Sequence, residues 1–205
     1  MEILFSDKDI AVCVKPVGVD SEHEVPELLS QALGGDLYPV HRLDKNEGGV
    51  MVYARNQRSA AALSRAIQEG AMVKEYLALV HGTPEESGDW TDFLFKDSRK
   101  NKVFVVKKKR SGVKEARLSY QALNRQDPCL VRVRLYTGRS HQIRVQFASR
   151  GFPLVGDHKY GARDREMAPF LYSCSLSFPH HGQVTTFEDK PKWAILDDMH
   201  KNVGL

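Results

Sequence analysis

The chain has 205 residues and 23.2 kDa, with 41% hydrophobic and 27% charged side chains, mean hydropathy −0.42 and a net charge of +4. This composition excludes a disordered, collagen-like or coiled-coil protein, and no apolar run approaches the ~20 residues of a membrane span. The start, MEILFSDKDI, has neither a basic nor a long apolar signal region, so a single domain over residues 1–205, kept in the cytoplasm as a monomer, is expected. Cys13, Cys129 and Cys174 are far apart and form no C-x-x-C pair, which points to small core residues rather than disulfides or a zinc knuckle.

In chain order, two short strands are expected near Ile3–Phe5 and Ile10–Val14. The turn Lys15-Pro16-Val17-Gly18 follows, then a helix around Pro26–Leu33 ended by Gly34-Gly35. The apolar run Gly49–Ala54 reads as a strand and Gln57–Glu69 as a helix. Asn56 is its cap, Gly70 its stop, and Ala61, Leu63, Ala66 and Ile67 form its apolar stripe. Met72–Val80 is β-rich, and Asp89–Tyr136 alternates apolar and polar residues as antiparallel hairpins do. Ser140 is positioned to cap a helix running to about Arg150, a strand is expected near Gln183–Phe187, and a closing helix from Pro191. The sum is an α+β fold on a mixed, mostly antiparallel sheet.

Charge is concentrated between Lys96 and Arg117, where ten Lys and Arg, among them Lys107, Lys108 and Lys109, face only Asp97 and Glu115. Such a run is either a solvated hairpin or an arm that tracks phosphates.

Three segments gather unusual polar residues: His41-Arg42-Leu43-Asp44-Lys45-Asn46-Glu47-Gly48-Gly49, Lys74-Glu75-Tyr76-Leu77-Ala78, and Thr137-Gly138-Arg139-Ser140-His141-Gln142-Ile143-Arg144. A calcium loop starting at Asp44 fails because its twelfth position is Arg55 instead of glutamate. A kinase catalytic loop fails because Leu43 separates Arg42 from Asp44 and no glycine-rich phosphate loop is present. No H-E-x-x-H occurs, and His180-His181 stands alone in a Pro/Gly turn, so no metal site is expected.

Taken with Lys15-Pro16-x-Gly18, Gly112–Ala116, Gly156-Asp157 and Tyr160-Gly161, these segments resemble, in order and across most of the chain, the RluA family of RNA pseudouridine synthases. The resemblance implies that family's catalytic fold; many members carry a preceding S4-type domain, and because the Lys15-Pro16 turn comes so early here, a stand-alone catalytic domain is expected instead. It implies a metal-free and cofactor-free isomerisation of uridine in ribosomal or transfer RNA. Asp44 would be the reacting carboxylate, Tyr76 would stack on the uracil, and Arg144 would favour the charged carboxylate in a desolvated pocket. Arg42 would enter the space of the flipped base, and Arg139, His141 and Lys107–Lys109 would contact RNA. A departure within the motif is also visible: the family follows H-R-L-D-x-x with Thr-Ser-Gly, whereas this chain has Glu47-Gly48-Gly49. That departure supports an alternative, an RNA-binding protein or chaperone that keeps the fold without catalysis, and a third reading is a metal-dependent hydrolase using the histidines.

Overall fold

A computed structural model describes residues 1–193. Strands β1 (Glu2–Ser6) and β2 (Ile10–Lys15) are joined by a turn in which Asp7 Oδ1 accepts the N–H groups of Asp9 and Ile10. Helix α1 (Glu24–Leu33) starts two residues ahead of Pro26, because Asp20 takes the N–H groups of Glu22 and His23 and so ends the preceding turn early. After the short β3 (Tyr38–Pro39) comes β4 (Gly48–Ala54), buried at every residue. Helix α2 (Gln57–Gln68) is capped as expected, with Asn56 Oδ1 accepting Ser59 N–H at 2.9 Å. Strands β5 (Val73–Val80), β6 (Ser87–Asp97), β7 (Lys102–Val106), β8 (Val113–Ala122) and β9 (Cys129–Leu135) follow. Helix α3 (Gln142–Ala148), β10 (Leu171–His180) and β11 (Gln183–Glu188) complete the described chain.

Among the described residues all eleven strands belong to one sheet, whose main path runs β1-β2-β4-β10-β5-β9-β8-β6-β7. Every pairing is antiparallel except β4 with β10, which makes the sheet mixed as the sequence implied. Alternate residues of β4 serve two cores. Met51 and Tyr53 join Leu29, Tyr76, Val133 and Phe147 on one face, while Val50, Val52 and Ala54 join Leu63 and Phe178 on the other. Burial on both faces is why the strand reads as an unbroken apolar run. Phe147 fixes α3 to the sheet through Trp90 and Tyr120, with ring centroids 4.7 and 5.2 Å away.

Three expectations change. Ser140 does not cap α3: His141 occupies the cap position at φ 51° without a side-chain cap bond, and the helix ends at Ala148. Gln142, the first helical residue, instead reaches back to the loop ahead of the helix, where its Oε1 accepts Arg139 N–H at 3.0 Å and the Thr137 hydroxyl at 2.8 Å. Strand β10 was not among the expected elements, because serines 173, 175 and 177 and Pro179 mask the alternation of Tyr172, Cys174, Leu176 and Phe178. His180-His181 does not stand alone: Asp7 Oδ2 lies 2.8 and 3.2 Å from their Nε2 atoms, tying the β10–β11 turn to the β1–β2 turn. The helix expected from Pro191 falls outside the described residues beyond position 193, and 191–193 carry no regular structure. The three cysteines are free and buried. Among the described residues no helix is long and apolar enough to cross a membrane.

Candidate active site

The loop leading into β4 alternates in direction. His41 and Leu43 are anchored to the fold: Val52 N–H donates to His41 Nε2 at 3.1 Å although the ring also borders the cleft, and Leu43 is buried with its N–H and C=O both engaged by the Ser21 hydroxyl. Burial, with Lys74 nearby, pushes His41 down to about 3, so it serves as a neutral acceptor. Arg42 and Asp44 turn outward. Lys15, fully buried, completes the anchorage by donating from Nζ to the carbonyls of Pro16, Val19 and Lys45, and burial pushes it down to about 8.

Asp44 borders a cavity of about 400 Å³ together with Glu47, Lys74, Tyr76, Arg139 and His141. Arg144 of α3 reaches it with Nη1 at 3.2 Å from Asp44 Oδ2. The same guanidinium holds Asp157 in a bidentate pair, Nε to Oδ2 at 2.7 Å and Nη2 to Oδ1 at 2.8 Å. Burial opposes the charge on Arg144, but Asp157 and Asp44 outweigh it and raise its pKa above the ordinary value. Asp157 follows Gly156, whose φ of +79° and would-be Cβ contact of 2.0 Å with Ala168 O admit only glycine.

His141 lies beside this chain of charges, with Nε2 3.5 Å from Asp44 Oδ2 and Nδ1 2.8 Å from the Tyr160 hydroxyl. Because Tyr160 Oη accepts Val103 N–H at 2.9 Å, its own proton is free to bond Nδ1, which leaves Nε2–H toward Asp44. Burial pushes His141 down to about 4, with Asp44 opposing, in keeping with that neutral tautomer. Tyr160 also packs its ring against the Arg144 guanidinium at 5.2 Å. Tyr76, 5% exposed on β5, forms part of the cavity floor, and burial raises its phenol well above the ordinary range.

The structure thus brings Asp44, Tyr76, Arg144, Arg42, Arg139 and His141 to one cleft. It leaves Lys107, Lys108 and Lys109 in the exposed turn between β7 and β8, outside the cavity lining. Lys74 and Glu47 line the cleft although the sequence reading gave them no role there, and Asp157 and Tyr160 entered that reading only as motif members. Their signal was adjacency to motif residues, which fixes no partner until the chain is folded.

The sequence model of the RNA pseudouridylate synthase family matches residues 9–149, more than half of the chain. The chain belongs to this family. An uncharacterized RNA pseudouridine synthase of Aquifex aeolicus is 34% identical over 88% of this chain and 64% of its own length. The uncharacterized RNA pseudouridine synthase YlyB of Bacillus subtilis is 32% identical over 98% and 74%. Ribosomal large subunit pseudouridine synthase D of Nitrosomonas europaea is 29% identical over 97% and 63%. The chain therefore spans less than two thirds of the length of the Aquifex and Nitrosomonas relatives. Human RNA pseudouridylate synthase domain containing 4 shares the fold at a TM-score of 0.81 with 23% identity, covering 98% of this chain and 92% of that one. For human domain containing 1 the TM-score is 0.80 at 24% identity, over 93% and 83%.

Proposed function

We propose that residues 1–205 form one catalytic domain that isomerises uridine in RNA to pseudouridine, with Asp44 as the reacting carboxylate. The observation that carries the reading is the Asp44–Arg144–Asp157 chain: a cleft carboxylate held by an arginine that a second, buried carboxylate fixes in place. In the reaction the N1–C1′ bond of uridine breaks, the uracil turns, a C5–C1′ bond forms, the C5 proton leaves and N1 takes up a proton, so product and substrate are isomers. No oxidant, reductant or energy source is required. An anionic side chain with a fixed donor behind it suits a step in which charge shifts at the sugar or base.

The remaining residues take roles consistent with their surroundings. Tyr76 offers a ring for the uracil to stack on, an interaction worth ~1–3 kcal/mol. Among the described residues Arg42 is held only by an exposed pair with Glu22 at 3.1 Å, so it leaves that partner at little cost to fill the space of an extruded base. Arg139 and His141 would meet RNA at the cleft, and Lys107–Lys109 would meet it farther out. The name of the Nitrosomonas relative makes ribosomal RNA the first substrate to test, with transfer RNA next.

The test is tritium release from RNA carrying 5-tritiated uridine, with a pseudouridine map of ribosomal and transfer RNA from a deletion strain rescued by wild type or Asp44→Asn. Release by wild type and none by a folded Asp44→Asn is expected. Turnover retained by that variant refutes the role of Asp44. Salt-sensitive RNA binding without release by wild type points instead to a non-catalytic RNA-binding protein.

A further inference from the structure

Besides Asp44, Glu47 is the only acid lining the cleft among the described residues, and it is held unlike an ion-pair partner. Its Oε2 accepts Asp44 N–H at 3.1 Å, and its own N–H donates to Asp44 O at 2.9 Å, which clamps the turn from both ends. The residue is 8% exposed, yet among the described residues no Lys, Arg or His nitrogen comes within 4.0 Å of its carboxyl. The charged and titratable groups facing it are Asp44 of its own loop, Lys15 of β2, Tyr76 of β5 and Arg144 of α3. Both cations are engaged elsewhere. Lys15 donates to three carbonyls, and Arg144 is shared between Asp157 and Asp44. A buried carboxyl with an acid as its neighbour and no cation in contact is favoured in its protonated form. Burial first, and Asp44 second, push Glu47 up to about 8.

We propose that Glu47 is a positioning residue: as a neutral carboxylic acid it holds the Asp44 backbone in place without setting a second negative charge beside the reacting carboxylate. This rests on the reading of Asp44 given above. A neutral acid supplies the acceptor that the Asp44 N–H needs, and an amide supplies the same acceptor. A methyl group does not, and it leaves that N–H without its partner.

Three measurements on wild type, Glu47→Gln and Glu47→Ala decide the matter. In amide hydrogen exchange, Asp44 N–H stays protected in wild type and Glu47→Gln and loses protection in Glu47→Ala. In thermal denaturation, the pH dependence is read. A group whose folded pKa is raised stabilises the fold least once the pH exceeds that pKa, because the unfolded chain has by then released the proton that the folded chain must hold or lose at a cost. Relative to wild type, Glu47→Gln therefore gains in Tm as the pH rises from the ordinary value of 4.5 toward about 8, and the gain levels off beyond it. In tritium release, Glu47→Gln rescues the kcat that Glu47→Ala loses, and it flattens the alkaline limb of the wild-type profile. Lys15 titrates in the same range, so the comparison of the two profiles is the readout.

Full Asp44 protection with full kcat in Glu47→Ala overturns the positioning role. A Tm difference between wild type and Glu47→Gln that is constant with pH, or identical alkaline limbs, overturns the neutral-acid role. If wild type releases no tritium from any RNA, the isomerase reading fails, while exchange and denaturation still decide how Glu47 acts on the loop.

Discussion

Replacing Arg144 by methionine keeps the aliphatic stem and removes the guanidinium. Asp157, 1% exposed, then loses the donors of both its oxygens, and Asp44 loses the donor at 3.2 Å. Breaking a buried pair by deleting one partner costs ~3–5 kcal/mol, because the carboxylate that remains is desolvated and uncompensated. With an unfolding entropy of ~2.1 cal/mol/K per residue, a chain of 205 residues has about 0.43 kcal/mol/K in all, so that cost lowers Tm by ~7–12 °C. The double variant Arg144→Met/Asp157→Asn removes the stranded charge at position 157, leaving only the less buried Asp44 without its partner, and should recover more than half of the loss in a double-mutant cycle read by urea and thermal denaturation at pH 7. Arg42→Ala, which breaks only the exposed pair with Glu22, should cost ~0–1 kcal/mol in the same assay. A penalty below about 1 kcal/mol for Arg144→Met, or a double variant no more stable than the single one, would refute the idea that Asp157 depends on this guanidinium.

Three further outcomes follow from the same geometry. Gly49→Ala should destabilise by ~3 kcal/mol or more, because φ is +120° and the added Cβ would sit 2.2 Å from Ser173 O on β10; a melt within 2 °C of wild type contradicts this. If Lys107, Lys108 and Lys109 each meet a phosphate, changing all three to alanine should make the slope of log K against log salt shallower by about 2, measured by filter binding at several salt concentrations. Asp164 accepts Gly156 N–H at 3.0 Å and lies 2.6 Å from His81 Nε2. Despite burial, these partners hold it at about 2 against an ordinary 3.8, so the stability it gives is present above pH 4 and is lost as the pH falls toward 2. Asp164→Asn should remove that part of the acid limb in stability measured between pH 2 and 5.

The legible part of the fold was the part written in local pattern. Asn56 capped α2 where the spacing required it, and the unbroken apolar run of β4 became a strand buried on both faces. Strand β10 was illegible because its period-two pattern is carried by serines and a proline, which read equally well as a turn, although it pairs with β4, β5 and β11. The same distinction runs through the cleft. Asp44, Tyr76 and Arg144 were nameable from motif resemblance, but not their distances, because the Arg144 contact spans 100 residues of sequence. Glu47 was visible only as a departure from a pattern. That its carboxyl would face the Asp44 N–H could not be known before the turn closed.

The alternation in His41-Arg42-Leu43-Asp44 explains why so short a motif combines chemistry with structure. Were all four residues free of partners in the fold, the loop would depend on substrate for its shape. Instead, two anchor it: His41 accepts Val52 N–H as a neutral ring, and Leu43 is fixed through Ser21, which in turn accepts no charge and gives up its carbonyl to the Tyr53 hydroxyl. Lys15 binds the carbonyl of Lys45, and Glu47 binds the N–H of Asp44, so the backbone is tied on both sides of the carboxylate. The loop backbone is thus held by neutral groups and by one ammonium that donates to carbonyls. The ion pairing of Asp44 is left to Arg144, which Asp157 fixes from α3's side of the cleft. Position and charge are set by separate sets of residues, so His41→Ala should disorder the loop while leaving the Arg144–Asp157 pair intact, and Arg144→Met should do the reverse. That separation lets a single carboxylate be preorganised before RNA arrives.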